Sequence, residues 1–406
     1  MSSRPVGERP TLFFYCQHSL GFGHLARSWM LCEALSSRFR VRLWCGGPMP
    51  EGMTAPRSCE VDQLPPLVID QDGRMRALDP GLSVQQALDL RRDRMLRDVA
   101  ENAPAAIVIE LYPFGRKKFD RELLPLLDAV RSSAPRPIIV CSLRDLLVDR
   151  GDDQSDHDER ARAIVDTYFD AVLVHADPAF ARIEESFHPR QPMRTPVHYT
   201  GFVAAALARR KHGHRSGILV SGGGGRFAES LYLAAIEAHQ LRSTSSGSKE
   251  LLTLVAGPLC EPLTWDKLVD AARDVPMVRL CRSVRDLSAA MEAARASISQ
   301  CGYNTALDIV RARVPALVVP FAERGESEQT ERARRLEALG VLRTFPADRL
   351  DPSGLATAID EMRTFVPAPA SLDLNGAERT ARLLEAMAQG GAGSELQRTV
   401  IHERMA

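Results

Sequence analysis

Short apolar runs alternate with amphipathic segments along the whole chain. Continuous apolar runs predict strands that are buried on both faces. The segments between them predict helices, since apolar residues such as Leu25, Trp29 and Cys32 recur at helical spacing. This alternation predicts an α/β protein with doubly wound parallel sheets. The predicted strands are 11–16, 41–45, 105–110, 137–142, 171–176, 217–221, 251–256, 277–281, 296–300 and 315–320.

The alternation is interrupted at a basic, apolar-poor stretch, "ARRKHGHRSG" (208–217), and then restarts. A chain of 406 residues is long for one hydrophobic core, so we expect two Rossmann-like domains that face a cleft. We also predict a solvated loop at 151–160 and a flexible loop at 243–250. The predicted parts are an N-terminal domain (1–205), a linker (206–216), a C-terminal domain (217–374) and a last helix with a tail (375–406).

Composition narrows the class of protein. The 52 basic and 52 acidic residues balance, so no overall positive field indicates a nucleic-acid partner. The eight cysteines are scattered without a C-x-x-C pair, which favours a reducing compartment over a disulfide framework. No apolar run approaches the ~20 residues that a membrane-spanning helix needs. We therefore expect a cytoplasmic protein.

The first junction with candidate chemistry is "HSLGFGH", directly after the first predicted strand. Gly21 and Gly23 allow a tight turn and a close approach to a ligand. His24 falls at the start of the next helix, on the sheet edge where α/β proteins bind ligands. Its pKa range suits a general base. A histidine that only packs at a helix start is the alternative.

The second junction places four glycines between a strand and a helix, in "LVSGGGGRFAES". Free backbone N–H groups and the positive end of a helix dipole favour an anion such as phosphate. A plain flexible turn is the weaker alternative, because each glycine costs roughly 0.5–1 kcal/mol in lost chain entropy. The candidate residues are Ser221, Gly222, Gly223, Gly224 and Gly225.

The third junction is "SQCGYNTALD" (299–308). A strand ends near Gln300, Gly302 permits close approach, and Asn304 and Thr305 start a helix whose N–H groups could hold a diphosphate. Asp308 lies one turn further on, where its carboxylate could accept hydrogen bonds from ribose hydroxyls. A helix cap with a first-turn acid is the alternative. Further along, Glu328 and Gln329 open another helix, where they could bind sugar hydroxyls or face solvent.

Together these residues resemble the GT-B glycosyltransferases. The plant-type donor signature His-Cys-Gly-Trp-Asn-Ser, then Glu, then Asp-Gln, has its counterpart here in "QCGYNT", Asp308 and Glu328-Gln329. Gln300 replaces a histidine that contacts the donor diphosphate. The chain is similar to the plant- and macrolide-type sugar transferases and to the lipid II-forming N-acetylglucosaminyltransferase. Motifs such as "ELYPFGRKK" and "GYNTALDIV" resemble a bacterial group of predicted glycosyltransferases.

The resemblance implies roles on both sides of the cleft. His24 would deprotonate an acceptor bound by the N-terminal domain, and Glu110 would stabilise the protonated histidine; an ion pair of Glu110 with Arg116 or Lys117 is the alternative. Arg144 and Asp145 would contact the acceptor or form an ion pair. The donor base would rest near Ser283 and Val284, and the last helix would return to the N-terminal domain.

The implied reaction moves a sugar from a nucleotide-diphosphate sugar, with inversion, to a small-molecule or lipid-linked acceptor. A UDP-sugar is favoured as the donor and a dTDP-sugar is the alternative; neither is a bound cofactor. No Asp-x-Asp motif occurs, so the reaction is expected to be metal-independent. The Arg-rich segment 67–102 fits a solvated face as well as a peripheral membrane contact. The alternatives are a nucleotide-sugar hydrolase or 2-epimerase, or a non-catalytic nucleotide-sugar-binding protein.

Overall fold

A computed structural model of the protein describes residues 9–19, 21, 23–50, 54–70, 73–147, 151–205, 214–284, 286–321 and 327–390. Its first sheet has seven parallel strands, accompanied by a small antiparallel hairpin. Helices cover both faces of the sheet, so residues 12–16 of the first strand are fully buried. The elements are β1 (Thr11–Cys16), α1 (Gly23–Leu35), β2 (Arg40–Cys45), β3 (Glu60–Gln63), β4 (Leu67–Ile69), β5 (Met75–Ala77), α2 (Val84–Asn102), β6 (Ala106–Glu110), α3 (Asp120–Arg131), β7 (Ile138–Leu143), α4 (Gln154–Tyr168), β8 (Ala171–Val174) and β9 (Val197–Tyr199).

The second half of the chain builds a separate sheet of six parallel strands. All ten strands predicted from the sequence are present, with bounds that differ by at most two residues. The elements are β10 (Ile218–Ser221), α5 (Glu229–Ser246), β11 (Leu252–Val255), α6 (Pro262–Ala272), β12 (Val278–Cys281), α7 (Leu287–Ala293), β13 (Ala296–Ser299), α8 (Tyr303–Ala312), β14 (Ala316–Val318), α9 (Glu328–Ala338), β15 (Arg343–Thr344), α10 (Pro352–Glu361) and α11 (Gly376–Ala388).

The strand order fixes where each sheet can bind a ligand. The first sheet runs β3-β2-β1-β6-β7-β8-β9, and the second runs β12-β11-β10-β13-β14-β15. In both, the order reverses beside the first strand, between β1 and β6 and between β10 and β13. Ligands of doubly wound sheets bind outside the carboxyl ends of the strands at such a switch point. Three of the four strand ends at the two switch points lead into the three predicted junctions.

One predicted loop is wrong, and a second is right only in its last four residues, 247–250. Residues 151–160 were expected to form a solvated loop, but α4 begins at Gln154 and buries Asp158 completely. The Asp158 carboxylate accepts hydrogen bonds from Gln154 Nε2 and from the backbone N–H of His188, at 2.7 Å each. In the predicted loop 243–250, α5 continues to Ser246. There the Thr244 and Ser245 hydroxyls bond to carbonyls one turn back, so polar residues continue the helix.

The last helix packs against the first. Arg38, in the turn that follows α1, donates to Glu378 and Glu385 of α11, with N···O distances of 2.8 and 2.9 Å. The C-terminal end of the described chain therefore lies on the N-terminal domain. Residues 206–213 of the predicted linker and 391–406 of the predicted tail lie outside the described residues. Within the described ranges, every helix is too short or too polar to cross a bilayer.

Candidate active site

His24 and Glu110 meet at the switch point of the first sheet. His24 is the second residue of α1, and Glu110 ends β6. His24 Nδ1 lies 2.6 Å from Glu110 Oε1. An ionised carboxylate only accepts hydrogen bonds, so Nδ1 carries the proton and Nε2 keeps its lone pair. The His24 side chain is 19% exposed, and Nε2 has no hydrogen-bond partner among the described residues, so it is free to accept a proton.

The electrostatics of the pair set its charge state at neutral pH. Burial lowers the pKa of His24 to about 4, against the opposing attraction of Glu110. Burial alone would raise the pKa of Glu110, but His24, Arg27 and Arg116 hold it well below its ordinary value. Glu110 is therefore ionised and His24 neutral at pH 7. This is the state that a base–carboxylate pair needs before it accepts a proton.

Arg27 joins the same pair, and the sequence reasoning missed it. Its guanidinium, 2% exposed, donates to Glu110 Oε1 and lies 5.4 Å from the ring centre of Tyr303. His24 and Arg27 are three residues apart in α1, so they share a helix face. That spacing could have pointed to Arg27, because an arginine on the same helix face as a candidate base is expected to lie near the base and to pair with a carboxylate there. The alternative partner Arg116 is also present, with Nη2 3.9 Å from Glu110 Oε2.

The four-glycine loop follows β10 with a backbone that only glycine adopts easily. Gly223 and Gly225 have φ angles of +62° and +89°. A Cβ on Gly225 would lie 1.8 Å from the carbonyl oxygen of Ala256. The Gly222 N–H donates to the Tyr232 hydroxyl at 2.9 Å, and that of Gly225 donates to Gly222 at 3.1 Å. Part of the loop's N–H set is therefore used to hold its own shape.

The start of α8 lies beside this loop. A Cβ on Gly223 would come within 3.3 Å of Thr305 Oγ1, so the second and third junctions form one surface. Gly302 caps α8 without a side-chain hydrogen bond, which leaves the first N–H groups of the helix uncapped. Gln300 Nε2 donates to the Phe227 carbonyl at 2.8 Å and ties the two junctions together.

Asn304 connects this surface to the other domain. Its Nδ2 donates to the backbone carbonyl of Gly23 at 3.2 Å. Gly23 directly precedes His24, so the first turn of α8 lies against the first turn of α1. The Tyr303 hydroxyl adds two bonds across the same boundary, donating to the His175 carbonyl at 2.9 Å and accepting from the Val203 N–H at 3.0 Å. The candidate base and the candidate anion site are therefore neighbours.

Asp308 lies on α8 one turn beyond Asn304. Burial raises the pKa of Asp308 to about 6, although Arg311, 3.7 Å away, and the Ser288 side chain oppose the shift. A buried carboxylate with so little compensation is suited to accept hydrogen bonds from a ligand. Ser283 and Val284 follow the end of β12, Ser283 exposed and Val284 half-buried.

Charge near the glycine loop comes from Arg226, which the sequence reasoning did not single out. It follows Gly225 directly, and its Nε is buried without a hydrogen-bond partner among the described residues. Such a cation is available to a phosphate. In the part of the chain that the structure describes, no group of three or more His, Cys, Asp or Glu side chains could hold a metal ion.

Arg144 and Asp145 pair across the domain boundary, not with each other. Arg144 donates to Glu328 of α9. Asp145 is fully buried and accepts two bonds from Arg332, both 2.8 Å long. Of the two predicted alternatives for Asp145, the structure thus contains an ion pair, and its partner is Arg332 of the other domain.

The acid–amide pair of α9 is also engaged in this structure. Gln329 Oε1 accepts from the N–H groups of Cys301 and Phe321, at 2.9 and 3.2 Å. The Gln329 amide therefore orders the third junction, while the Glu328 carboxylate faces Arg144. Gly21 is exposed beside His24, and its neighbours at positions 20 and 22 lie outside the described residues.

Comparison with known proteins gives both a domain and a fold. Residues 223–385 match the glycosyltransferase family 28 C-terminal domain. MurG of Acinetobacter baumannii is similar over 93% of this chain and 100% of its own, with 15% identity and a TM-score of 0.56. The calicheamicin glycosyltransferase CalG4 (15% identity, TM-score 0.55) covers 97% of this chain and 98% of its own. No curated protein matches the chain in sequence.

A plant enzyme shows the same likeness. Phytolacca americana UGT2, in a structure complexed with UDP-2fluoro-glucose and pterostilbene, is similar over 98% of this chain and 99% of its own, with 16% identity and a TM-score of 0.55. These likenesses span both sheets and so establish the GT-B fold of the whole chain. The chain therefore has the GT-B fold, and its residues 223–385 match the glycosyltransferase family 28 C-terminal domain, which identifies it as a glycosyltransferase.

Proposed function

We propose that this protein transfers a sugar, with inversion and without a metal ion, from a UDP-sugar to a hydroxyl-bearing acceptor. The observation that carries the proposal is the contact between the two first turns: Asn304 Nδ2 donates to the Gly23 carbonyl at 3.2 Å, beside the His24–Glu110 pair. A base and an anion-binding helix end that touch across two domains can serve one reaction centre.

The base step follows from the charge states. His24 Nε2 takes the proton of the acceptor hydroxyl, and the Glu110 carboxylate, 2.6 Å from Nδ1, stabilises the imidazolium that forms. The acceptor oxygen then forms a bond to the anomeric carbon as the bond from that carbon to the diphosphate breaks. The base lies on the N-terminal domain and the diphosphate on the C-terminal domain, so attack and departure occur on opposite faces. Inversion is the expected stereochemistry.

The leaving diphosphate gains negative charge as the bond breaks. The uncapped N–H groups at the start of α8, the glycine loop and Arg226 supply fixed dipoles and a cation there. Asp308 is proposed to accept from the ribose hydroxyls, with the base near Ser283 and Val284. The ion pairs Arg332–Asp145 and Arg144–Glu328 hold the domains together beside this centre, which helps to exclude water.

A nucleotide panel tests the donor half of the proposal. Thermal unfolding is followed with UDP, dTDP, GDP and ADP for the wild type, Asp308→Asn and the control Asp270→Asn. Asp270 is an exposed acid near the end of α6, paired with Arg273 of the next turn. We expect UDP to stabilise the wild type and the control. The Kd of Asp308→Asn for UDP should be at least about tenfold higher than that of the wild type.

The outcomes separate the candidate functions. Stabilisation by no nucleotide, in protein that unfolds cooperatively, would contradict the donor site. UDP binding followed by UDP release from a UDP-sugar in the absence of an acceptor would favour a hydrolase or epimerase. Tight UDP-sugar binding without turnover on any hydroxyl compound would favour a non-catalytic binding protein.

A further inference from the structure

The cluster around Glu110 contains more positive than negative charge. Glu110 is fully buried and is the one carboxylate that Arg27 and Arg116 approach within 4 Å in the described part of the chain. Its Oε1 is occupied by His24 and Arg27. With His24 neutral, one anion therefore faces two guanidinium groups. A charge excess in a largely buried cluster is costly unless a ligand balances it.

Arg116 is the less satisfied of the two arginines. Its ion pair with Glu110 is long, 3.9 Å, and no hydrogen bond to its guanidinium is formed within the described residues. Its Nε is buried without a partner, although the side chain as a whole keeps 12% exposure. The next two residues, Lys117 and Lys118, are exposed and add positive charge without an ion pair in the described ranges. Arg116 thus has donors to spare for an anion.

The position of Arg116 places those donors beside the base. The loop from Leu111 to Arg116 leaves the carboxyl end of β6, and Arg116 ends it with a φ of +63°. This left-handed conformation is uncommon for a non-glycine residue and is a feature of functional loops. Arg116 approaches Oε2 of the carboxylate whose Oε1 holds His24. Arg116 and His24 therefore approach the two oxygens of one carboxylate, which places Arg116 beside the candidate base.

Two more groups on the same edge lack partners. His18 is 4% exposed, and its Nε2 donates to the Pro48 carbonyl at 2.8 Å, so its Nδ1 is an acceptor. That Nδ1 and Ser19 Oγ are both buried without a hydrogen-bond partner among the described residues. His18 and Ser19 follow β1 and Arg116 follows β6, the neighbouring strand, so all three lie at the carboxyl edge of the first sheet. A substrate hydroxyl would satisfy His18, and an anion would satisfy Ser19 and Arg116.

We propose that the acceptor carries an anionic group, a phosphate ester or a carboxylate, that Arg116 binds next to the hydroxyl deprotonated by His24. This inference rests on the proposed function, since it names the class of acceptor. Arg116 is then a specificity residue of the N-terminal domain. The donor diphosphate is the other source of negative charge, but the start of α8, the glycine loop and Arg226 already face it from the C-terminal domain.

Phosphate binding to the UDP-saturated protein tests this proposal. Thermal unfolding is measured with saturating UDP while inorganic phosphate replaces chloride at constant ionic strength. The proteins are the wild type, Arg116→Gln, Arg116→Lys and the control Arg136→Gln. Arg136 forms an ion pair with Asp170, which precedes β8, so the control lies at the amino ends of the strands of the same sheet, away from the candidate site. We expect phosphate to bind the wild type and the control, and to bind Arg116→Gln about ten- to a hundredfold more weakly. Arg116→Lys keeps the charge and retains part of the affinity.

The UDP titration separates the two anion sources and the two proposals. UDP affinity is expected to stay within about twofold in all four proteins. Equal phosphate affinity in Arg116→Gln and the wild type would overturn the inference. A tenfold loss of UDP affinity in Arg116→Gln, with phosphate competing against UDP, would assign Arg116 to the donor diphosphate and also overturn it. If UDP binds none of the proteins, the proposed function fails. The phosphate titration of the same four proteins is then repeated without UDP, and a weaker binding of phosphate to Arg116→Gln than to the wild type would still show that Arg116 binds an anion.

Discussion

Replacing Glu110 by glutamine removes the negative charge of the base pair while it keeps the shape of the side chain. The carboxylate lies 2.6 Å from His24 Nδ1, and the two charge centres are about 4 Å apart once His24 is protonated. At that separation, Coulomb's law with an effective dielectric constant of about 20 gives roughly 4 kcal/mol. This equals about three powers of ten in rate if the imidazolium is fully formed in the transition state.

The proton is only partly transferred in the transition state, so we expect Glu110→Gln to lower kcat by about 10²–10³-fold. The shape of the pH profile gives a second readout. His24 is already neutral above its pKa of about 4, and loss of the nearby anion lowers that pKa further. The plateau rate should therefore fall while the acidic limb does not move to higher pH.

The same substitution leaves the guanidinium groups of Arg27 and Arg116 without their carboxylate. Breaking a buried ion pair in this way lowers the free energy of unfolding by about 3–5 kcal/mol. Rates are therefore divided by the concentration of UDP-binding sites, so that unfolded protein is not counted. The double variant Glu110→Gln/Arg27→Met removes one of the two unpaired positive charges. Asp98→Asn is the control: Asp98 is 4% exposed, accepts from Trp44 Nε1 at 2.9 Å and contacts neither His24 nor Glu110. A kcat of Glu110→Gln within twofold of the wild-type value would mean that the Glu110 carboxylate does not stabilise the imidazolium in the transition state.

Three further predictions concern Asp308, the buried pair of Asp145 with Arg332, and Gly225. The pKa of Asp308 is raised to about 6, so ionisation of Asp308 lowers the stability of the folded protein as the pH rises from 4 through 6. In urea unfolding at pH 8, Asp308→Asn should therefore be more stable than the wild type, by at most about 3 kcal/mol. At pH 3 the two proteins should be equally stable. Asp145→Leu and Arg332→Met should each lower the free energy of unfolding in urea by about 3–5 kcal/mol, because each leaves one buried charge without its partner. The double variant should lose far less than the sum of the two single losses. Additive losses would contradict a buried pair. Gly225→Ala should weaken UDP binding at least about tenfold, because its Cβ would lie 1.8 Å from the Ala256 carbonyl; Gly247→Ala, with a φ of +63° and no atom within 4 Å, should leave it intact.

The core strands were predictable because their physics is local. A strand buried on both faces is expected to be almost continuously apolar, so β1, β6 and β8 are visible as runs in the sequence. The outer strands β3, β9 and β15 were missed. They are two to four residues long and half-exposed, with bounds set by pairing to β2, β8 and β14 and not by their own residues.

The candidate site was predictable to the extent that its residues follow strands. His24 was singled out by its position after β1, and its pairing with Glu110, the last residue of β6, was implied by the resemblance to GT-B glycosyltransferases; β1 and β6 are neighbours in the sheet. Arg27 was missed because its role depends on a contact between elements 83 residues apart. The partners of Arg144 and Asp145 were missed for the same reason, since docking of α9 on the N-terminal domain is set by tertiary packing.

At Gln300 the chain departs from the plant-type signature, and the reason is a contact with a distant segment that the sequence alone does not reveal. Its side chain bonds to the Phe227 carbonyl and holds the glycine loop against α8. Tyr303 replaces the tryptophan of the plant-type signature, and its hydroxyl bonds to two backbone groups of the N-terminal domain. Both residues thus organise the junction through contacts between segments far apart in the chain.

His24 is proposed to be the base of a UDP-sugar transferase. The most direct measurement is the rate of UDP release from UDP-sugars, with a panel of neutral and anionic hydroxyl compounds, for the wild type and His24→Gln at equal UDP occupancy. We predict that the variant binds UDP with unchanged affinity and releases it about 10²–10⁴-fold more slowly. Equal rates at equal occupancy would contradict the claim, because transfer would then proceed without the base that the two domains bring to the donor site.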